Sequence, residues 1–313
     1  MGPPRCDRRH DGTSTPSATK PMNILLAIDG SDAALHACRL AAAFAGRCKT
    51  PAVTLLNVQR PPLRLSLQGG VPYQVLEDAL REEGTRQLQP AVRLLTEAGH
   101  AATQIVRLGP PADTVLDTAR ECAADVLVLG NGRHGPVGGY ALGSVALRVA
   151  PAAHCPAIVV RPGAPVLSGA GATLRVTAPV DGSQEGLRGL ERLAAWSVAV
   201  GPMLVDLVHF GPGLSLAAAV LPPHDDVLRE WGGLDTDAAL GAAEKVLATA
   251  GIAHTTHRLH GAPETGIAAF AREQRADFIS MATRGRGAMH HLLLGSVALR
   301  TAQASEVPVA FMR

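Results

Sequence analysis

The heptapeptide Leu-Gly-Ser-Val-Ala-Leu-Arg occurs twice, at Leu142–Arg148 and at Leu294–Arg300. Each copy closes a loop that follows a short apolar run. Gly130–Ser144 reads GNGRHGPVGGYALGS, and Ala282–Ser296, of the same length, reads ATRGRGAMHHLLLGS. A glycine lets the backbone approach a ligand closely. A Gly-Ser that opens a helix turns unpaired N–H groups toward whatever lies in front of it. Such a helix start favours an anion, phosphate above all, with the dipole contributing roughly 0.3–1 kcal/mol. Ser144 and Ser296 could add a hydroxyl donor to a phosphate oxygen. Equally, each serine could act only as an N-cap, a role worth about 1 kcal/mol. Arg133, His134, Arg284 and Arg286 give both loops positive charge, suited to phosphates or simply to solvent.

Other chemistries find no support. There is no Gly-Lys pair and hence no Walker A loop, so no lysine cradles phosphates by that mechanism. No G-x-S-x-G elbow makes Ser144 an esterase-type nucleophile. Gly130, Gly132 and Gly135 fit G-x-G-x-x-G, but after the fourth strand rather than the first, where a dinucleotide fingerprint belongs. His254, His257 and His260 are spaced by three on a predicted strand, so they alternate faces and cannot share one ion. The adjacent His290 and His291 are poorly placed for joint ligation. Asp225-Asp226 and Glu82-Glu83 read as solvated helix faces. No metal site or machinery for efficient phosphoryl transfer is identified.

The elements that must position these loops are themselves duplicated. Asp29-Gly30-Ser31 returns as Asp181-Gly182-Ser183, Gly99 as Gly251, Gly109 as Gly261, Ala124-Asp125 as Ala276-Asp277 and Gly143-Ser144 as Gly295-Ser296, always at one offset (181 − 29 = 152). Two copies of one fold are expected: residues 22–162 and 173–313, joined by a Pro/Gly/Ser linker over 163–172. In the first copy NILLAID, AVTLLNV, TQIVRLG, DVLVLG and AIVVR are short, β-branched and nearly continuous in hydrophobicity, as strands covered on both faces are. Helical stretches such as SDAALHACRLAAAFA and PADTVLDTARECA lie between them. This alternation predicts an α/β fold in which each repeat is a doubly wound, five-stranded parallel sheet. Ligands bind such sheets beyond the carboxyl ends of the strands, at the switch point. The second copy is less regular, and FGPGLSLAAAVLPP after its second strand has no clear period.

Composition sets the remaining bounds. The 313 residues are 47% hydrophobic, 18% charged and 3% aromatic, with a net charge of +2. A near-neutral chain with so few aromatics argues against nucleic acid and anionic membrane surfaces as partners. No apolar stretch approaches a membrane span. Residues 1–21 read as a disordered leader lacking a signal-peptide core, with Met22 as an alternative start. The five cysteines form no CxxC and avoid the second half, as incidental thiols in a reducing compartment would. A cytoplasmic location is expected.

In NILLAIDGSDAALHA, RLGPPADTVLDTARECAADVLVLG and MATRGRGAMHHLLLGSVALR the chain resembles the universal stress proteins in their tandem form, over Met22–Arg161 and Thr173–Arg313. The resemblance implies a Rossmann-like domain of strand order 3-2-1-4-5. ATP-binding members carry Gly, two residues, Gly, nine residues, then Gly-Ser or Gly-Thr. Here Gly130, Gly143 and Ser144 match while Arg133 replaces the second glycine. In the other copy Gly285, Gly295 and Ser296 match while Ala282 replaces the first. By the resemblance ATP, ADP or AMP, with or without magnesium, would contact Ala27, Asp29, Val58, Gly130, Arg133, Gly143, Ser144 and Val145. The second set would be Pro179, Asp181, Val208, Met281, Ala282, Gly285, Gly295, Ser296 and Val297. The opening aspartates would meet the adenosine end, and Val58 and Val208 the adenine. Without the family, Asp29 and Asp181 read equally well as local turn residues. The resemblance further implies that the apolar last strands pair within the chain, that a homodimer can form, and that a regulatory protein partner receives the output. Two rival readings remain: a nucleotide-free interaction module with lapsed sites, and a slow or autophosphorylating ATPase.

Overall fold

Each short apolar run becomes a strand and each helical stretch a crossover. The computed structural model describes residues 21–61, 73–131, 142–211, 234–283 and 294–313. The predicted leader, apart from Pro21, and most of FGPGLSLAAAVLPP lie outside these residues, as does Asp225-Asp226. The first half runs β1 (Met22–Ala27), α1 (Asp32–Ala45), β2 (Pro51–Gln59), α2 (Tyr73–Glu97), β3 (Ala102–Leu108), α3 (Pro111–Glu121), β4 (Val126–Gly130), α4 (Ser144–Val149) and β5 (Ala157–Val160). The second half repeats it: β6 (Leu174–Pro179), α5 (Gln184–Val200), β7 (Met203–Gly211), α6 (Leu234–Thr249), β8 (Ala253–His260), α7 (Pro263–Glu273), β9 (Phe278–Ala282), α8 (Ser296–Ala304) and β10 (Val309–Met312).

Within each half the strands are parallel. The whole sheet has ten strands in the order β3-β2-β1-β4-β5-β10-β9-β6-β7-β8, so both halves show the expected 3-2-1-4-5 arrangement. The halves meet where β5 and β10 pair antiparallel, Val159 opposite Val309 and Ala157 opposite Phe311. Both strands are four residues long and buried throughout. An apolar edge left open would recruit another chain, and pairing the two edges removes that liability. Two arginines reinforce the joint reciprocally. Just past β5, Arg161 donates to the carbonyl of Ser305, just past α8, at 2.6 Å. Arg313, just past β10, donates to the carbonyl of Pro151 beyond α4 at 2.9 Å.

Helices cover both faces. On one, α1, α2, α5 and α6 bury Phe44, Leu88, Leu193 and Leu247 against Ile24, Leu26, Val176 and Val205. On the other, α3, α4, α7 and α8 bury Val115, Val149, Ile267 and Ala302 against Leu25, Leu127, Ile279 and Phe311. Both cores run across the β5–β10 joint. Trp196 of α5 bridges the halves, its ring edge-on to Phe44 (5.3 Å between centroids) and to Phe278 (6.5 Å). The repeated Ala-Asp is structural: Asp125 Oδ2 accepts the Asn23 N–H and Asp277 Oδ2 the Arg175 N–H, each tying a fourth strand's approach to the start of a first strand.

Cys38, Cys48 and Cys155 are buried and unpaired. Burial pushes their thiols up to about 12, 11 and 11, so the thiolate is scarce at neutral pH. Native protein treated with iodoacetamide at pH 8 should leave the peptides carrying these three unmodified while Cys122, which is partly exposed, is alkylated. Rapid native labelling of Cys38 or Cys155 would contradict this packing.

Candidate functional site

The carboxyl ends of β1 and β4 are neighbours, with Ala27 level with Leu129, and they form the switch point of the first half. β1 leads into Asp29-Gly30-Ser31. Gly30 has φ +79° and its counterpart Gly182 +75°, a left-handed turn that favours glycine. Asp29 Oδ1 accepts the Ser31 N–H at 3.0 Å and also the Ser31 hydroxyl. Ser31 Oγ in turn accepts the Ala34 N–H at 3.2 Å, capping α1. Asp181 and Ser183 repeat the turn at 2.9 and 3.0 Å. The aspartates are therefore turn residues. This engages only one oxygen of Asp29, whose carboxylate is exposed and whose Oδ2 has no partner among the described residues.

The second wall is the Gly-Ser helix start. The N-caps are Gly143 and Gly295, with ordinary φ values of −58° and −59° and no side-chain cap. Ser144 and Ser296 thus occupy the first helical position rather than the N-cap, and both are exposed. The loop mouth is pinned from behind. Gly143 donates its N–H to Asn131 Oδ1 at 2.8 Å, and Gly295 to the Thr283 carbonyl at 2.9 Å. Asn131 is 1% exposed, and its Nδ2 is a buried donor with no partner among the described residues. An unsatisfied buried N–H costs about 1–3 kcal/mol and invites an acceptor. Its place directly after Gly130 was visible in the sequence; its burial was not.

Gly130 has a packing role of its own. A Cβ there would lie 2.6 Å from the Ala33 carbonyl carbon and the Ala34 nitrogen, so the glycine lets α1 close onto β4. Ala282 carries the extra methyl at the matching position. The facing helix α5 carries Gly186 and Gly189 where α1 has Ala34 and Ala37. A Cβ built on Gly189 would stand 3.9 Å from Ala282 Cβ. The exchange of glycine for alanine on the strand is matched by the reverse exchange on the helix.

Ala27, Val58 and Val145 form a half-buried rim above the α3/α4 core. In the second half Pro179 and Val297 keep that exposure, but Met281 is buried, presenting only backbone. Val208 requires correction. It pairs in register with Pro179, as Leu56 does with Ala27, and it is fully buried, so its side chain cannot face a base. The residue at the level of Val58 is Phe210, which the constant repeat offset would have identified. Arg133 and Gly285, with His134, Arg284, Arg286, His290 and His291, lie outside the described residues.

Two of the strand histidines, His254 and His257, have different partners, as faces that alternate require. His257 Nε2 lies 3.0 Å from Asp206 Oδ1 with its ring over Phe270, whereas His254 Nδ1 meets the Ile252 carbonyl. No group of three metal-ligating side chains occurs among the described residues. No helix among them is long and apolar enough to cross a membrane.

These features define a duplicated, doubly wound α/β protein with an Asp-Gly-Ser turn and a Gly-Ser helix start at each switch point. The profile of the universal stress protein family matches residues 21–161 and 173–313, and the chain belongs to that family. It is 28% identical to universal stress protein Rv2623 of Mycobacterium tuberculosis, over 95% of this chain and 98% of that one. It is 24% identical to Slr1230 of Synechocystis, over 93% and 99%. A crystal structure of a universal stress protein from Archaeoglobus fulgidus superposes with a TM-score of 0.64 at 20% identity, over 93% of this chain and 98% of that one, and shares the fold.

Proposed function

We propose that this chain is a cytoplasmic regulatory protein that binds ATP or a related adenine nucleotide with little or no turnover. The observation that carries this reading is that three polar groups with capacity to spare face one switch point. The exposed Asp29 carboxylate at the end of β1 can accept from a ribose hydroxyl or a base amino group. At the end of β4, the exposed Ser144 hydroxyl and the unpartnered Asn131 donor suit phosphate oxygens. The motif Gly-Ser supplies helix N–H groups to the same anion. Any magnesium would arrive with the phosphates, since the described residues offer it no ligand set. Binding would bias the conformation of the protein or its docking to a protein partner.

A thermal shift tests this. If ATP binds at about 10 μM, 1 mM ATP stabilises the folded chain by about 2.7 kcal/mol through mass action. For a chain of this size that raises Tm by about 5 °C. No shift, and no nucleotide released from heat-denatured protein, would favour the nucleotide-free interaction module instead.

A further inference from the structure

We infer that the two crevices are not equivalent: the first takes the nucleotide, and in the second the ring of Phe210 occupies the place of the base. This rests on the adenine-nucleotide reading above. At the rim where the resemblance sets adenine against Val58, the second half has Phe210, on the same face of the sheet and packed against the same core. The ring does not stand free. It lies on the first turn of α7, where a Cβ on Gly266 would come within 2.3 Å of Phe210 Cε1 and 2.5 Å of Cζ. The first half has Thr114 at that helix position, and its Oγ1 turns instead toward Gly109. Val58 with Thr114 has thus become Phe210 with Gly266, a paired change in which the helix gives up its side chain to seat the ring. An aromatic ring is as thick as a nucleobase and offers the same contacts, so the ring and a base exclude each other from one slot. The change at Ala282 plays no part, because its methyl faces α5 and is accommodated there.

The experiment is calorimetric titration of the full chain with ATP, on wild type, Ser144→Asp and Phe210→Val. Ser144→Asp puts a negative charge where the phosphates would lie. The residue is exposed, and an acid in the first turn suits the helix dipole, so folding is preserved. Circular dichroism and Tm confirm that. The expected results are one ATP per chain for wild type, loss of binding by at least a hundredfold in Ser144→Asp, and a second, weaker site in Phe210→Val. Two ATP per wild-type chain, or a site of wild-type affinity surviving in Ser144→Asp, overturns the inference while leaving the nucleotide reading intact. A stoichiometry fixed at one in Phe210→Val overturns the assignment to Phe210. No ATP bound by wild type overturns both readings together.

Discussion

Replacing Arg47 with alanine is expected to destabilise the protein by about 4 kcal/mol, one of the largest losses available to a single substitution. Arg47 is 9% exposed and its donors go to backbone carbonyls. Nε reaches Val200 at 3.0 Å, Nη1 reaches Ser168 at 2.8 Å and Gly169 at 2.6 Å, and Nη2 reaches Ala172 at 2.6 Å. Val200 ends α5, where free carbonyls carry the negative end of the dipole. The other three belong to the segment joining the halves. One side chain from the end of α1 therefore fixes the connecting chain and the neighbouring helix together. Hydrogen bonds to a charged group contribute about 1.5–3 kcal/mol each, and they are not additive because the freed linker can turn to water. Urea unfolding of Arg47→Ala should show the loss, and limited proteolysis should find new cleavage within 163–172. Arg47→Lys should recover only part, since an ammonium cannot match the planar fork. A loss below about 1 kcal/mol would show the linker to be held mainly by Ser168 on Asp277 and by His36 on Ala164.

The two glycines that frame the first loop should separate folding from binding. Gly130→Ala is expected to destabilise by about 2–3 kcal/mol, because its Cβ would collide with helix backbone at 2.6 Å and α1 must move off the sheet. ATP affinity of the folded protein should stay within about threefold. Gly143→Ala should do the reverse. Its φ is ordinary and a Cβ would meet only Asn131 Oδ1 at 3.7 Å, so the fold should lose under about 1 kcal/mol. Yet the methyl sits where the backbone would meet the phosphates, and ATP affinity should fall at least tenfold. Urea titrations paired with ATP titrations of both variants decide the matter. If Gly130→Ala lost affinity at unchanged stability, the packing role given to Gly130 would be wrong.

The amino-acid sequence by itself determined the architecture. Periodic burial, β-branched runs and landmarks at a constant offset fix strands, helices and duplication, because each depends on local propensity and on which residues must leave water. Asp-Gly-Ser and Gly-Ser were legible for the same reason: a left-handed turn and a helix start are properties of a few consecutive residues. What those residues touch was decided only by the tertiary structure. Gly130 meets α1, a hundred positions earlier in the chain, so its packing role has no local signature. Val208 was misplaced by two residues: it lies on the same side of β7 as Phe210 but one pleat repeat deeper, level with Pro179, and register with β6 rather than hydrophobicity says how far along the strand the core ends. Nothing local marks Arg47, Arg161 and Arg313, whose carbonyl partners reach them only when the halves come together. Contacts between residues far apart in sequence exist only once the chain has closed, and in this protein the joint between its halves is made almost entirely of them.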